Sequence, residues 1–333
     1  MSVAFRAQCV AVGSALPERR LTNAELERMV ETNDEWIVSR TGIRERRIAE
    51  PGSGLCALAL PAARQCLERA GVSADTLDGI IVATISGDHV MPATANLLQH
   101  QLGATKAFGF DLLNACNGFV AALSTATAFI ESGHSKRILV VGGDIMSTLL
   151  DYRDRNTCIL FGDGCGAVLL EAGPANGPGI IGFEMHSDGS GGNDLIIPCS
   201  GSAHLANPEA LAHGEQFVKQ NGRVVFTQAV RRMSEVCVSL MKQLKLTVAD
   251  IDLLVPHQAN LRIIEPTANR LGLPMNKVVI NIDRVANTTA GTIPLALADA
   301  FGDGRLKTGT RVLLAAFGGG LTWGSLYLTW GRA

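Results

Sequence analysis

Aromatic residues are scarce in this 333-residue chain: Phe, Tyr and Trp together supply 5%, whereas hydrophobic residues as a whole supply 47%. The interior must therefore be filled by closely packed aliphatic side chains. A surplus of positive charge is also missing. Lys and Arg number 29 against 31 Asp and Glu, a formal net charge of −2, which argues against the broad basic surface of a general nucleic-acid binder. No apolar run approaches the ~20 residues needed to cross a bilayer, so no membrane association is expected. The eight cysteines contain no C-x-x-C pair, and most sit in apolar runs. That is the pattern of buried, reduced thiols in a cytoplasmic protein. The seven histidines are scattered, without H-E-x-x-H spacing, and no metal is expected. Met1 to Pro17 is interrupted by Arg6 and reads as a first strand, not a signal peptide.

What is present is an order of elements that occurs twice. Residues 57–70 have a helical pattern ending at Gly71, a good C-terminal stop, and Asp78 to Thr84 follows as a buried strand. Later, Arg231 to Leu246 is helical in pattern and Asp252 to His257 is strand-like. Setting Asp78 on Asp252 places Leu77 over Ile251 and Ala83 over His257. Leu102-Gly103 then matches Leu271-Gly272, and the apolar run from Arg137 matches that from Arg311. Cys116 lies 14 residues after Leu102 and Asn287 lies 16 after Leu271, so the repeat sets Asn287 opposite Cys116. We read two homologous α/β halves, 1–171 with a nucleophile and 172–333 with a histidine and an asparagine. Mixed sheets between helical layers would accommodate both the apolar strands and the amphipathic helices. The stretch from His186 to Gly222 is rich in Gly, Ser, Asn and Pro. It is expected to be a long loop, either a solvated excursion or a cover over substrate.

Three segments carry chemistry. Cys116 follows the strand-like Phe108 to Leu113 and precedes the nearly all-apolar helix that starts at Gly118. A cysteine at a helix N-terminus meets the positive end of the dipole, which favours thiolate. His257 follows an aliphatic strand behind Pro256, and Asn287 sits in Ala286-Asn287-Thr288-Thr289-Ala290-Gly291. Either alone could be a hydrogen-bonded core or turn residue. Together, a thiol, an imidazole and a carboxamide can hold an acyl group on sulfur and stabilise an oxyanion or enolate beside it. The run Phe317-Gly318-Gly319-Gly320 allows close backbone approach, and the Gly319 amide could pair with that of Cys116 as an oxyanion hole. No lysine follows it in phosphate-loop form. Gly162-Asp163-Gly164-Cys165-Gly166 leads into a strand, not a helix, so it is not a dinucleotide turn.

These segments, with Thr32 to Arg46, Asp154 to Gly164 and the final Gly-Gly-Gly-Leu-Thr-Trp-Gly, occur in an order that resembles the β-ketoacyl-acyl-carrier-protein synthase III family of thiolase-like condensing enzymes. The resemblance runs almost end to end. It implies a five-layer αβαβα fold of duplicated halves, a homodimer, and initiation of fatty-acid biosynthesis by decarboxylative condensation of an acyl-coenzyme A with malonyl-acyl-carrier protein. Coenzyme A thioesters would be substrates, with no cofactor. By the same resemblance Cys116 takes the acyl group, and His257 and Asn287 bind the malonyl thioester carbonyl. Trp36 and Arg155 would sandwich the adenine of coenzyme A. Arg40 and Arg262 would meet its phosphates, and Asn260 its pantetheine. Phe161 would line the acyl region, and Met91 would reach across a dimer to the floor of the partner's pocket. Three departures bear on the acceptor and the acyl length: Ala286 to Thr292 stands where relatives often read Gly-Asn-Thr-Ser-Ala-Ala-Ser, Thr227 stands where a lysine is common, and the 186–222 stretch is longer than usual. A specialised acyltransferase or condensing enzyme of secondary metabolism, using a different acceptor, is the alternative.

Overall fold

Apolar runs with no polar alternation need cover on both faces, and the chain supplies it twice. In the computed structural model, which describes residues 5–333, one sheet contains β1 (Phe5–Ala15), β2 (Gly79–Ala83), β3 (Phe108–Leu112), β4 (Arg137–Asp144) and β5 (Gly164–Pro174). Their spatial order is β1-β5-β4-β2-β3. β2 runs parallel to β3 and β4, while β5 is antiparallel to β4 and β1. Of the segment expected as a first strand, Met1 to Ala4 lies outside the described residues.

The second sheet contains β6 (Gly179–Ser187), β7 (Leu253–Pro256), β8 (Arg311–Gly318) and β9 (Thr322–Thr329), in the order β7-β8-β9-β6. β7 is parallel to β8, and β9 is antiparallel to β8 and β6. A parallel bridge from Val278 to Leu254 takes the place of β3. Order and strand sense thus repeat. So does a local device: the backbone N–H groups of Arg137 and Arg311 donate, each at 2.9 Å, to the carboxylates of Asp78 and Asp252, starting β4 and β8 in the same way.

Alternation along the strands sorts side chains into three cores. Ile81, Ile138 and Val140 from the first sheet and Val255, Val312 and Leu314 from the second converge on one central cluster. Between them lie α4 (Gly118–Glu131) and α7 (Thr292–Gly302), preceded along the chain by α1 (Asp34–Thr41), α2 (Cys56–Ala70), α3 (Thr94–Leu102), α5 (Gly222–Gln243) and α6 (Leu261–Leu271). Helices apolar all round belong in such a buried middle layer. Ile80, Val82 and Leu139 face outward onto α2 and α3, and Leu313, Ala315 and Phe317 face α5 and α6. The result is the five-layer αβαβα arrangement.

Three readings of the sequence need revision. α5 begins at Gly222 and not at Arg231. Its first turns carry Val224, Val225 and Phe226, a strand-like triplet, yet Val225 and Phe226 pack against the outer core. The 186–222 stretch is structured in part. Leu195–Ile196 pairs with Lys219–Gln220, and the short helix Pro208–Ala212 is capped by Asn207, whose side chain accepts from the amides of Glu209 and Ala210. The internal repeat also has a different register at the site. The turn Ala115–Asn117 before α4 corresponds to Thr289–Gly291 before α7, with φ of 45° at Ala115 and 51° at Thr289. Ala290 therefore stands opposite Cys116, and Asn287 lies upstream of that turn. Matching Cys116 and Asn287 by their similar distances from Leu102 and Leu271 passes over the extra short helix Ile282–Val285 in the second connection.

Candidate active site

Both central helices start at the same place. Cys116 lies in the turn that leads into α4, and β8 ends against it. A Cβ added at Gly318 would sit 2.7 Å from the Cys116 nitrogen and 3.1 Å from that of Asn117, so only glycine permits this approach. Among the described residues the amides of Cys116 and Gly319 have no backbone carbonyl partner. The thiol is buried. That burial, with the Asp144 carboxylate next in importance, pushes its pKa up to about 12, against the pull of the helix N-terminus. Cys116 thus rests as the thiol, not as the thiolate expected from helix placement alone.

His257 extends from β7, its backbone N–H donating to the Ala315 carbonyl at 2.7 Å. Its Nδ1 lies 2.7 Å from the hydroxyl of Thr292, the first residue of α7. Burial pulls its pKa down to about 3, so the imidazole is neutral. Asn287 is fixed at both ends: its N–H donates to the Leu160 carbonyl and its own carbonyl accepts from Gly162 N–H, each at 3.0 Å. Its side-chain Oδ1 accepts from the Thr289 N–H at 2.8 Å, which leaves Nδ2 as the free donor. The hydroxyl of Thr289 donates in turn to Asp144. That buried carboxylate also accepts from the Thr84 and Ser86 hydroxyls and the Ile85 and Ser86 amides. Asp144 thereby ties the Asn287 loop to the first half. Sequence reasoning passed it over, although an acid ending an apolar strand was a signal to hand.

Cys116, His257 and Asn287 all line one cavity of about 670 Å³. Phe161 shares it, held by a bridge to Asn287, and Trp36, Arg40, Asn260 and Arg262 lie along its length. Among the described residues there is no cluster of three or more His, Cys, Asp or Glu side chains placed to hold a metal, and no helix is long and apolar enough to cross a membrane.

Comparison with known proteins decides the family. Residues 110–189 match the model of 3-oxoacyl-[acyl-carrier-protein] synthase III, and residues 241–330 match that of its C-terminal part. A β-ketoacyl-[acyl-carrier-protein] synthase III of Chlorobaculum tepidum is 47% identical over 328 residues, covering 98% of this chain and 100% of that protein. The chain belongs to the β-ketoacyl-acyl-carrier-protein synthase III family. Among solved structures, the synthase III of Thermus thermophilus superposes with a TM-score of 0.91 at 41% identity, over 98% of this chain and 100% of the other. The priming β-ketosynthase of the R1128 polyketide pathway gives 0.92 at 34% identity, over 100% and 98%.

The synthase III entrance is built largely from α1 and α6. Asn33 caps α1, its side chain accepting from the Trp36 N–H, and Gly42 ends the helix with φ of 83°. Trp36 is half-buried, with the guanidinium groups of Arg155 and Arg40 over its ring at 5.4 and 5.9 Å from the centre. A flat ring between Trp36 and Arg155 needs about 7 Å, two van der Waals contacts, so Arg155 must swing outward to admit one. It is exposed and held only by the Glu31 carbonyl at 3.1 Å, and it does not line the cavity in this state. Asn260 caps α6 by accepting from the Arg262 N–H at 2.9 Å and donates to the Arg40 carbonyl at 3.0 Å. Part of its hydrogen-bonding capacity therefore joins α6 to α1. Leu195, Gln220 and Asn221 from the 186–222 excursion also line the cavity. Met91 and Gly319 do not. Met91 is 85% exposed, and a Cβ on Gly319 would meet the Leu195 carbonyl at 3.2 Å.

Proposed function

We propose that this synthase III starts fatty-acid synthesis by joining an acyl-coenzyme A to malonyl-acyl-carrier protein, with loss of carbon dioxide, through acyl-Cys116. The observation that supports this most is the convergence of Cys116, His257 and Asn287 on one cavity that runs out to Trp36, Arg40 and Arg262. In the first half-reaction the Cys116 sulfur attacks the donor thioester, the amides of Cys116 and Gly319 receive the oxyanion, and the thiol proton ends on the departing coenzyme A sulfur. Coenzyme A leaves along the arginine-lined entrance, where Arg40, Arg155 and Arg262 attract its phosphates, Trp36 stacks on adenine and Asn260 meets the pantetheine. In the second, Asn287 Nδ2 and the His257 ring donate to the malonyl carbonyl as decarboxylation turns it into an enolate, whose carbon then attacks acyl-Cys116. Residues 1–171 form the half that carries the nucleophile and 172–333 the half that carries the two donors. Two chains pair as a homodimer, with Met91 reaching the floor of the partner's acyl pocket beside Phe161. Eight free, buried cysteines suit a cytoplasmic setting.

The experiment is a separation of half-reactions. Asn287→Ala should keep appreciable Cys116 acylation and lose malonyl decarboxylation, by about 2.7–4 kcal/mol in transition-state stabilisation. Loss of acylation with decarboxylation intact would reverse the assigned roles. The R1128 enzyme's match over the whole chain supports a second reading, a priming condensing enzyme of a secondary pathway. A panel of malonyl acceptors on different carrier proteins distinguishes the two by which carrier is turned over.

A further inference from the structure

We propose that Thr292 is a positioning residue whose hydroxyl donates to Nδ1 of His257 and thereby keeps the ring's single proton on Nε2, ready to be donated to the substrate. The proposal rests on the reading of His257 as a donor to the enolate. A neutral imidazole carries one N–H, and the partner of one nitrogen decides what the other can do. His257 is buried and neutral, so the choice of tautomer is a choice between a donor and an acceptor facing the reaction.

The Thr292 hydroxyl has two acceptors within reach, Nδ1 of His257 at 2.7 Å and the Thr289 carbonyl at 3.0 Å. If the carbonyl takes the hydroxyl proton, Nδ1–H must donate to the Thr292 oxygen, and Nε2 presents a lone pair. Opposite a developing enolate oxygen that lone pair would repel. If Nδ1 takes the hydroxyl proton, Nε2–H stabilises the enolate; the 2.7 Å contact itself forms with either tautomer, so the enolate's need for a donor is what selects this one. As the first residue of α7, Thr292 also sets the ring near a positive helix end, which opposes the doubly protonated imidazolium and keeps the ring at one N–H without choosing its nitrogen. The same short segment orients the other donor, because the Thr289 N–H fixes Asn287 Oδ1 and frees Nδ2. One loop, 287–292, would then turn both donors toward the malonyl carbonyl.

The test uses the full-length enzyme with Thr292→Val and Thr292→Ser. Thr292→Val should keep Cys116 acylation by acyl-coenzyme A within about twofold and lower the malonyl decarboxylation kcat by about 10- to 100-fold, less than outright loss of a donor. KM for the malonyl thioester should stay near the wild-type value, and Thr292→Ser should restore most of kcat. Nitrogen-15 NMR of histidine-labelled wild type, with His257→Ala assigning the signal, should show a protonated Nε2 and a bare Nδ1. A bare Nε2 in the wild type overturns the proposal whatever the Val variant does. Thr292→Val decarboxylating at the wild-type rate while His257→Ala is inactive overturns it alone. If His257→Ala decarboxylates normally, the donor role of His257 falls, and this inference with it.

Discussion

At Cys116 two fields oppose one another. The start of α4 favours thiolate, while burial and the nearby Asp144 carboxylate favour the thiol and prevail, with a pKa of about 12. His257, pulled down to about 3, cannot supply a counter-charge. Below its pKa the thiolate fraction of Cys116 grows tenfold per pH unit. Iodoacetamide modification of Cys116, followed by peptide mass analysis, should therefore rise about tenfold per unit between pH 7 and 9. A plateau across that range would mean a cysteine–imidazolium pair and contradict the burial argument. That Cys116, His257 and Asn287 sit among small residues near strand ends was legible in the sequence, and the fold brings all three to one cavity. Their ionisation was not, because burial and the Asp144 network depend on residues brought in from Thr84, Ser86 and Thr289. Thr292 was equally hidden, since nothing in its local sequence points to a histidine met only through folding.

Among the elements, α1 and α6 build the entrance, and their caps explain its geometry. Asn33 and Asn260 each spend a side-chain oxygen on a helix N-terminus, which fixes Trp36, Arg40 and Arg262 relative to the cavity. Trp36→Ala and Arg40→Ala should raise KM for acyl-coenzyme A donors several-fold and leave short N-acetylcysteamine thioesters nearly unchanged, because the latter have no adenine or phosphates to lose. Equal losses on both donor types in steady-state assays would show that these side chains hold the fold instead. The central helix from Gly118 and strands such as Gly79–Ala83 and Arg137–Asp144 were readable from their apolar runs. The start of α5 was not, since Val224-Val225-Phe226 satisfies a strand pattern locally and only packing against α6 and the second sheet makes it helical. The short ladder and helix inside 186–222 were missed because segments of two to five residues leave no measurable period.

For the whole molecule, two sheets of like order enclose both middle helices, which start at one centre where the first sheet's side brings Cys116 and the second's brings His257. The repeat could be found in the sequence. Its register at the site could not, because the connections from α3 to α4 and from α6 to α7 differ in length and shape. The edge strand β3 and the exposed Val90, Met91 and Leu113 lie together on the face where the proposed homodimer would form. If Met91 floors the partner's pocket, Met91→Ala should lengthen the accepted acyl chain and Met91→Phe should shorten it, by roughly 1–3 kcal/mol per methylene of discrimination. Unchanged kcat/KM profiles across a chain-length series would remove Met91 from the pocket. The central claim is that acyl-Cys116 is the species that condenses. Intact-protein mass spectrometry during a single turnover tests it most directly. Acyl-coenzyme A should add one acyl mass to the wild type and none to Cys116→Ala, and malonyl-acyl-carrier protein should then remove that mass as carbon dioxide and a 3-oxoacyl product appear in equal amounts. An acyl mass that persists on Cys116→Ala, or one that leaves wild type as free acid without carbon dioxide, would contradict it.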